Sequence, residues 1–101
     1  KLHTGVDVGA PKGAKIVSAN AGTVITSTYN ASYGNYVMVD HGGNMVTLYA
    51  HMSSRSVKKG DVVKKGQQLG LVGSTGYSTG PHLHFEIIKN GKYVDPMTHF
   101  K

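Results

Sequence analysis

The chain has no cysteine among its 101 residues. This absence excludes both a disulfide framework and a metal site built on thiolates, so any bound metal must be held by His, Asp or Glu side chains. Long apolar runs are missing as well, since none approaches the roughly 20 residues that cross a membrane, and no signal peptide is recognisable. We therefore expect no membrane partner.

Acidic side chains are few, with 5 Asp and Glu against 11 Lys and Arg, which gives a net charge of +6 with His neutral. Such an excess suits an anionic partner such as nucleic acid, an acidic polymer or a membrane face. Five basic residues cluster in one segment, but no aromatic side chains alternate with them as in a surface that stacks nucleic-acid bases. We interpret the cluster as a solvated face and expect no nucleic-acid partner. Its members are Arg55, Lys58, Lys59, Lys64 and Lys65.

Patterns typical of helices are nearly absent. The 14 glycines are spread along the chain, and the short runs between them are rich in Val, Ile, Thr and Tyr. This pattern predicts a single all-β domain, a sandwich or a barrel. The clearest hairpin joins residues 36–40 to residues 45–50 through His41-Gly42-Gly43-Asn44, because glycines supply the positive φ angles of a tight turn. Residues 29–35 show no period and are predicted to form a surface loop or the wall of a groove.

His51 directly follows the second strand of this hairpin. The two-residue period of a strand predicts that it shares a face with Met45, Thr47 and Tyr49. The end of a strand is a common place for a functional side chain. We therefore treat His51 as a candidate catalytic residue.

A second candidate is the pair His82 and His84, in a run that reads as a strand. Their side chains would emerge on one face, while Leu83, Phe85 and Ile87 would face a core. A lone His-x-His is weak evidence for a metal site, because histidines also occur in strands as hydrogen-bonded residues. Glu86 shares the histidine face, where it could orient a metal ligand or form an ion pair within the sheet.

His3 and Asp7 provide matching ligand types at the other end of the chain. On an extended segment, residues four apart return to the same face. Catalytic zinc typically takes three protein ligands and leaves one position for water, and His3, Asp7 and His84 would supply such a set. His51 and His82 would then lie near the metal, where neutral imidazoles could deprotonate the metal-bound water or hydrogen-bond to an oxyanion.

Taken together and in order, these motifs resemble the catalytic domain of the lysostaphin-type zinc endopeptidases, which cut peptidoglycan peptides. The resemblance covers nearly the whole chain and implies an antiparallel β-sandwich of the duplicated hybrid type, with a substrate groove across one sheet. It also implies one zinc ion on His3, Asp7 and His84, with His51 and His82 as the catalytic pair. The motifs are His3-Thr4-Gly5-Val6-Asp7, Tyr49-Ala50-His51-Met52, Gly73-Ser74-Thr75-Gly76, Gly80-Pro81-His82-Leu83-His84-Phe85-Glu86 and Val94-Asp95-Pro96.

The same resemblance implies hydrolysis of peptidoglycan cross-links, at either a glycyl bond or the bond between a D-alanine and a diamino acid. It implies a secreted bacterial enzyme or a phage virion component that acts outside the cell or in the cell wall. We expect residues 1–101 to be one monomeric catalytic domain excised from a longer chain, which could carry a second wall-hydrolysing or wall-binding domain. Tyr33 and Tyr77 are candidate walls of the substrate groove.

Two alternatives from other functional classes remain. Residues 22–67 also resemble lipoyl- and biotinyl-type carrier domains, but the modifiable lysine that those domains hold at a tight turn, beside Met or Asp, is not found. A catalytically inactive wall-binding module is the other alternative, and the intact set of ligand-type residues argues against it.

Overall fold

The computed structural model describes residues 6–9, 11–73 and 82–94, and at residues 6–9, 82, 93 and 94 the description is of the backbone. All regular structure in these residues is β-strand, and every strand pairing is antiparallel, which confirms the predicted fold class. In these ranges no helix is long and apolar enough to cross a membrane. The strands are β1 Val6–Gly9, β2 Lys15–Val17, β3 Gly22–Asn30, β4 Gly34–Asp40, β5 Met45–Arg55, β6 Val62–Val63, β7 Gln68–Val72, β8 His82–Lys89 and β9 Lys92–Val94.

The strand β5 organises the sheet. The main strand order is β1-β8-β5-β4-β3-β6, with β9 also on β8 and with β7 joining β5 to β2. One edge of β5 is occupied by β4, whereas the other pairs with β8 over residues 45–50 and with β7 over residues 52–55. Because β5 changes partner along one edge, the sheet curls on itself around the core.

The core lies inside this curl. Phe85 and Leu83 pack against it from β8, and the ring centroids of Phe85 and Tyr49 are 5.3 Å apart. Ile87 is also fully buried, so the predicted apolar face of β8 is confirmed. The core side chains are Ile16, Val24, Val37, Val39, Tyr49, Met52, Val63, Leu69 and Val72.

A β-bulge interrupts β5 at the point where it changes partner. Asn35 pairs with Met52 and Val37 pairs with Tyr49, so β5 has one residue more than β4 in this interval. His51 lies in the interval and has φ 62°, an uncommon value for a residue with a β-carbon. The period-2 prediction for His51 is therefore wrong. Tyr49 and Met52 both face the core, while the His51 ring lies on the opposite side with the His84 ring.

The predicted loop at residues 29–35 is largely strand. β3 continues to Asn30 and β4 begins at Gly34, so only residues 31–33 form the turn. The Oδ1 atom of Asn30 accepts the backbone N–H of Tyr33 at 2.6 Å, and Gly34 has φ 68°, which closes this short connection. Thr28 and Tyr29 are both exposed, so buried and exposed side chains do not alternate at this end of β3.

Candidate active site

The pairing of β8 with its two neighbours brings three of the candidate residues together. Asp7 on β1 is the register partner of His84, and Gly9 is the partner of His82. On its other edge, His84 pairs with Ala50, the residue before His51. The pairing of β1 with β8 therefore sets the backbone of Asp7 directly opposite that of His84. A strand from the first part of the chain thus pairs with one from the last part at this site.

The bulge in β5 turns His51 towards His84. The two ring centroids are 6.0 Å apart with an interplanar angle of 63°, and His51 is only 6% exposed. Its backbone is held on both sides, since its N–H donates to the Tyr33 carbonyl at 2.7 Å and its carbonyl accepts the Gly73 N–H at 3.1 Å. Beside it, the Asn35 side-chain amide donates to the Met52 carbonyl at 3.1 Å. These contacts fix the unusual conformation that presents the imidazole.

Glu86 is a buried carboxylate in contact with His84. It is 1% exposed, and its Oε2 atom lies 2.6 Å from Nε2 of His84. The Tyr33 hydroxyl donates to both carboxylate oxygens at 3.2 Å, and the Tyr33 ring stacks beside the His84 ring at 6.1 Å. Tyr33 therefore contacts Glu86 and His84 through its side chain and His51 through its backbone. The sequence left two roles open for Glu86, to orient a metal ligand or to form an ion pair within the sheet. The structure shows a direct contact with His84, which is itself a candidate metal ligand.

The candidate residues are not all described. The structure includes the side chains of Tyr33, His51 and His84, and it gives backbone alone for Asp7 and His82. His3 and Tyr77 lie outside the described residues. Among the side chains that it does describe, no three of His, Asp or Glu form a group that could hold a metal ion.

The donor chemistry of the described part nevertheless fits a zinc site. A metal-ligating histidine usually donates its second ring N–H to a carboxylate, and the contact between His84 and Glu86 has this form. The register partner of His84 is an aspartate, the oxygen-ligand type that the sequence-based set requires. With nitrogen and oxygen donors and no sulfur, the site has ligands that zinc accepts.

The sequence did not reveal two features of this site. The bond between Tyr33 and Glu86 joins residues 53 positions apart, which no local pattern predicts. The conformation of His51 depends on a bulge, and a strict two-residue period cannot show one. The only available signal was the segment Asn30-Ala31-Ser32-Tyr33-Gly34, whose Asn and Gly at the two ends are typical of a tight turn.

The chain is similar to known proteins over most of its length. A family model described as Peptidase family M23 matches residues 1–96. The Vibrio cholerae protein named peptidoglycan DD-endopeptidase ShyC is 46% identical over 98 residues, which are 97% of this chain and 23% of that protein. The chain thus spans about a quarter of the length of the curated relatives that it matches first.

Two solved structures share the fold. The catalytic domain of the antimicrobial peptidase lysostaphin from Staphylococcus simulans superposes with a TM-score of 0.89 at 36% identity, covering 97% of this chain and 78% of that one. A zinc-containing peptidase from Vibrio cholerae superposes with a TM-score of 0.87 at 41% identity, covering 89% of this chain and 28% of that one.

Proposed function

Because the chain belongs to Peptidase family M23, we propose that it is the catalytic domain of a zinc-dependent endopeptidase that hydrolyses peptide cross-links of bacterial peptidoglycan. The resemblance to lysostaphin-type enzymes that its motifs indicated is confirmed. The lipoyl-type carrier finds no support in these matches. The observation that carries the proposed activity is the meeting of His51 and His84 over a buried carboxylate, with Asp7 in register beside them.

We propose His3, Asp7 and His84 as the residues that hold zinc. Support comes from the register of Asp7 with His84, from the carboxylate on His84 Nε2, and from a structural neighbour described as zinc-containing. A bound zinc ion supplies Lewis acidity, which lowers the pKa of water towards about 7 and polarises a carbonyl. In the part of the chain that the structure describes, these contacts fit such an ion.

His51 and His82 are proposed as the catalytic pair. Imidazole nitrogens exchange protons near neutral pH, so one histidine can accept a proton from the attacking water. The other can donate a hydrogen bond to the oxyanion that forms on the substrate carbonyl. The buried position of His51 and its fixed backbone suit this task, because a catalytic group needs a defined direction before the substrate arrives.

The proposed substrate is the D-alanyl cross-link between peptidoglycan stem peptides. The relative named peptidoglycan DD-endopeptidase has 46% identity, against 36% for lysostaphin, and this favours the bond between two D-centres over a glycyl bond. We place the activity in the cell wall or outside the cell, and we propose that the domain acts as a monomer. The net charge of +6 would concentrate the domain on walls that carry anionic polymers.

Digestion of defined substrates tests the proposal. The zinc-loaded protein is incubated with a purified D-alanyl-cross-linked muropeptide dimer and, separately, with a pentaglycine-bridged dimer, and the products are identified by mass spectrometry. We expect cleavage of the D-alanyl bond by the wild type and none by His84→Ala. Cleavage of the glycyl bridge alone would contradict the proposed D-alanyl substrate but would support the endopeptidase activity. A zinc-loaded protein that cleaves neither dimer would contradict the proposed function.

A further inference from the structure

The carboxylate of Glu86 contacts a candidate metal ligand, but the proposed chemistry gives Glu86 no role of its own. Glu86 lies on β8, two residues beyond His84, and is 1% exposed. Burying a carboxylate is costly unless hydrogen bonds compensate for the lost water. Two side chains supply such bonds here, the His84 imidazole at 2.6 Å and the Tyr33 hydroxyl at 3.2 Å. A buried carboxylate with these contacts, beside a candidate metal ligand, is therefore a candidate for a role in the metal site.

The direction of these hydrogen bonds follows from the chemistry of the carboxylate. An ionised carboxylate can only accept, so both of its partners must donate. The Tyr33 hydroxyl therefore gives its hydrogen to Glu86, and the hydrogen of the neutral His84 ring resides on Nε2. In that tautomer the lone pair of the ring is on Nδ1. A metal bound by His84 would then be bound through Nδ1.

We propose that Glu86, held in place by Tyr33, is a positioning residue that keeps the His84 hydrogen on Nε2 and presents Nδ1 to the zinc ion. This inference rests on the proposed zinc site and deepens it. It also gives Tyr33, predicted only as a wall of the groove, a second role in the support of the metal site. Fixing the tautomer before the metal arrives raises affinity, because the ring need not reorganise on binding.

Zinc affinity provides the first readout. The affinities of the purified protein and of its variants are measured by competition with a chromophoric chelator. Loss of a carboxylate that supports a metal ligand typically weakens metal binding about 10–100-fold, and we expect Glu86→Ala to fall in this range. Glu86→Gln should lose less, because its amide oxygen still accepts the Nε2 hydrogen. Tyr33→Phe keeps the ring and removes only the second hydrogen bond, so its loss should be the smallest of the three.

The imidazole tautomer provides a second readout that needs no metal. Nitrogen-15 shifts of the His84 ring are recorded on the metal-free, histidine-labelled protein at alkaline pH, where the imidazole is neutral. We expect the wild type, Glu86→Gln and Tyr33→Phe to carry the hydrogen on Nε2, and Glu86→Ala to give a mixture of tautomers. A purely structural role for Glu86 would change the melting temperature without moving these shifts. The backbone amide spectrum of each variant verifies its fold.

Three results would overturn the inference. Wild-type zinc affinity in a folded Glu86→Ala variant would remove the positioning role. An unchanged His84 tautomer in that variant would do the same. Complete loss of zinc in Glu86→Gln, equal to that of His84→Ala, would make Glu86 itself a metal ligand. Failure of the proposed zinc site looks different, since the wild-type protein itself would then bind no zinc. Failure of the proposed hydrolysis alone would leave the zinc affinities and the His84 tautomer as predicted.

Discussion

At the scale of single residues, His51 has a backbone conformation that most side chains make costly. Its φ of 62° lies in the left-handed region, which costs a residue with a β-carbon roughly 1–2 kcal/mol. The backbone hydrogen bonds that it donates to Tyr33 and accepts from Gly73 hold it there. Strain of this kind at a candidate catalytic residue indicates that the direction of the imidazole matters more than the stability that the residue contributes.

This strain leads to a prediction about His51. His51→Ala and His51→Gly both remove the imidazole and should both abolish hydrolysis. Because glycine adopts positive φ without a steric cost, His51→Gly should exceed His51→Ala in free energy of unfolding by about 1 kcal/mol. Urea denaturation of the two variants measures the difference. As a matched control, Ala50→Gly changes a buried residue whose φ is not positive and should destabilise the protein. Equal stability of the two His51 variants would contradict the prediction.

Single residues were enough to propose a chemistry for the site, but not to predict its geometry. The absence of cysteine, the His-x-His pair and the spacing of His3 and Asp7 sufficed to propose a nitrogen and oxygen donor set. The face on which His51 lies was predicted wrongly, because an inserted bulge residue shifts the alternation of a strand. The bond from Tyr33 to Glu86 depends on tertiary packing and has no local signature.

At the scale of elements, the approach of β7 to β5 beside the bulge leaves no room for a side chain. A β-carbon on Gly73 would lie 2.6 Å from the backbone nitrogen of Ser53 and 2.7 Å from its Cβ atom. Gly73 also donates the hydrogen bond to the His51 carbonyl. The close contact of these two segments therefore sets the position of His51.

We predict that Gly73→Ala separates these segments. Overpacking of this kind typically costs about 1–3 kcal/mol, and the displaced contact should also reduce hydrolysis through His51. Urea unfolding and the rate on a soluble cross-linked peptide measure the two effects. Gly43→Asn serves as the control, because Gly43 has φ 60° with no atom near its missing side chain and Asn tolerates this conformation. A Gly73→Ala variant as stable and active as the wild type would disprove this role.

The strand pattern of the sequence located individual strands but not the pairing of distant ones. Short runs between glycines located the hairpin of β4 and β5 and the histidine strand β8, because β-branched and aromatic residues favour strands. The partner change along β5 could not be predicted, since pairing between distant strands depends on the whole sheet. The ends of β3 and β4 within residues 29–35 were missed because this stretch shows no two-residue period.

At the scale of the whole molecule, part of the positive charge is displayed on two equivalent turns. In each turn the first lysine N–H donates to the side chain of the fourth residue at 3.0 Å, Asp61 in one and Gln67 in the other. All four turn lysines are exposed, and none has an ion-pair partner among the described residues. We call them the lysine turns. They consist of Lys58-Lys59-Gly60-Asp61 and Lys64-Lys65-Gly66-Gln67.

We predict that the lysine turns attract the domain to intact anionic walls and take no part in the chemical step. Replacing their four lysines with glutamine should slow hydrolysis of anionic walls several-fold at low ionic strength. The rate on a soluble neutral peptide should stay unchanged. The difference on walls should disappear at about 1 M salt, where the screening length falls to about 3 Å. Dye release from labelled walls measures the first rate. Equal losses on walls and on soluble peptide would show that the substitutions damaged the site instead.

The most direct test of the account is the zinc content of the purified protein and three variants, measured by elemental mass spectrometry. The wild type should hold about one zinc ion per chain, as a three-ligand catalytic site requires. His84→Ala should lose the metal and the activity together. His51→Ala and His82→Ala should keep the metal and lose most of the hydrolysis. If His82→Ala lost the zinc while His84→Ala retained it, the proposed division between ligand and catalytic histidines would be wrong.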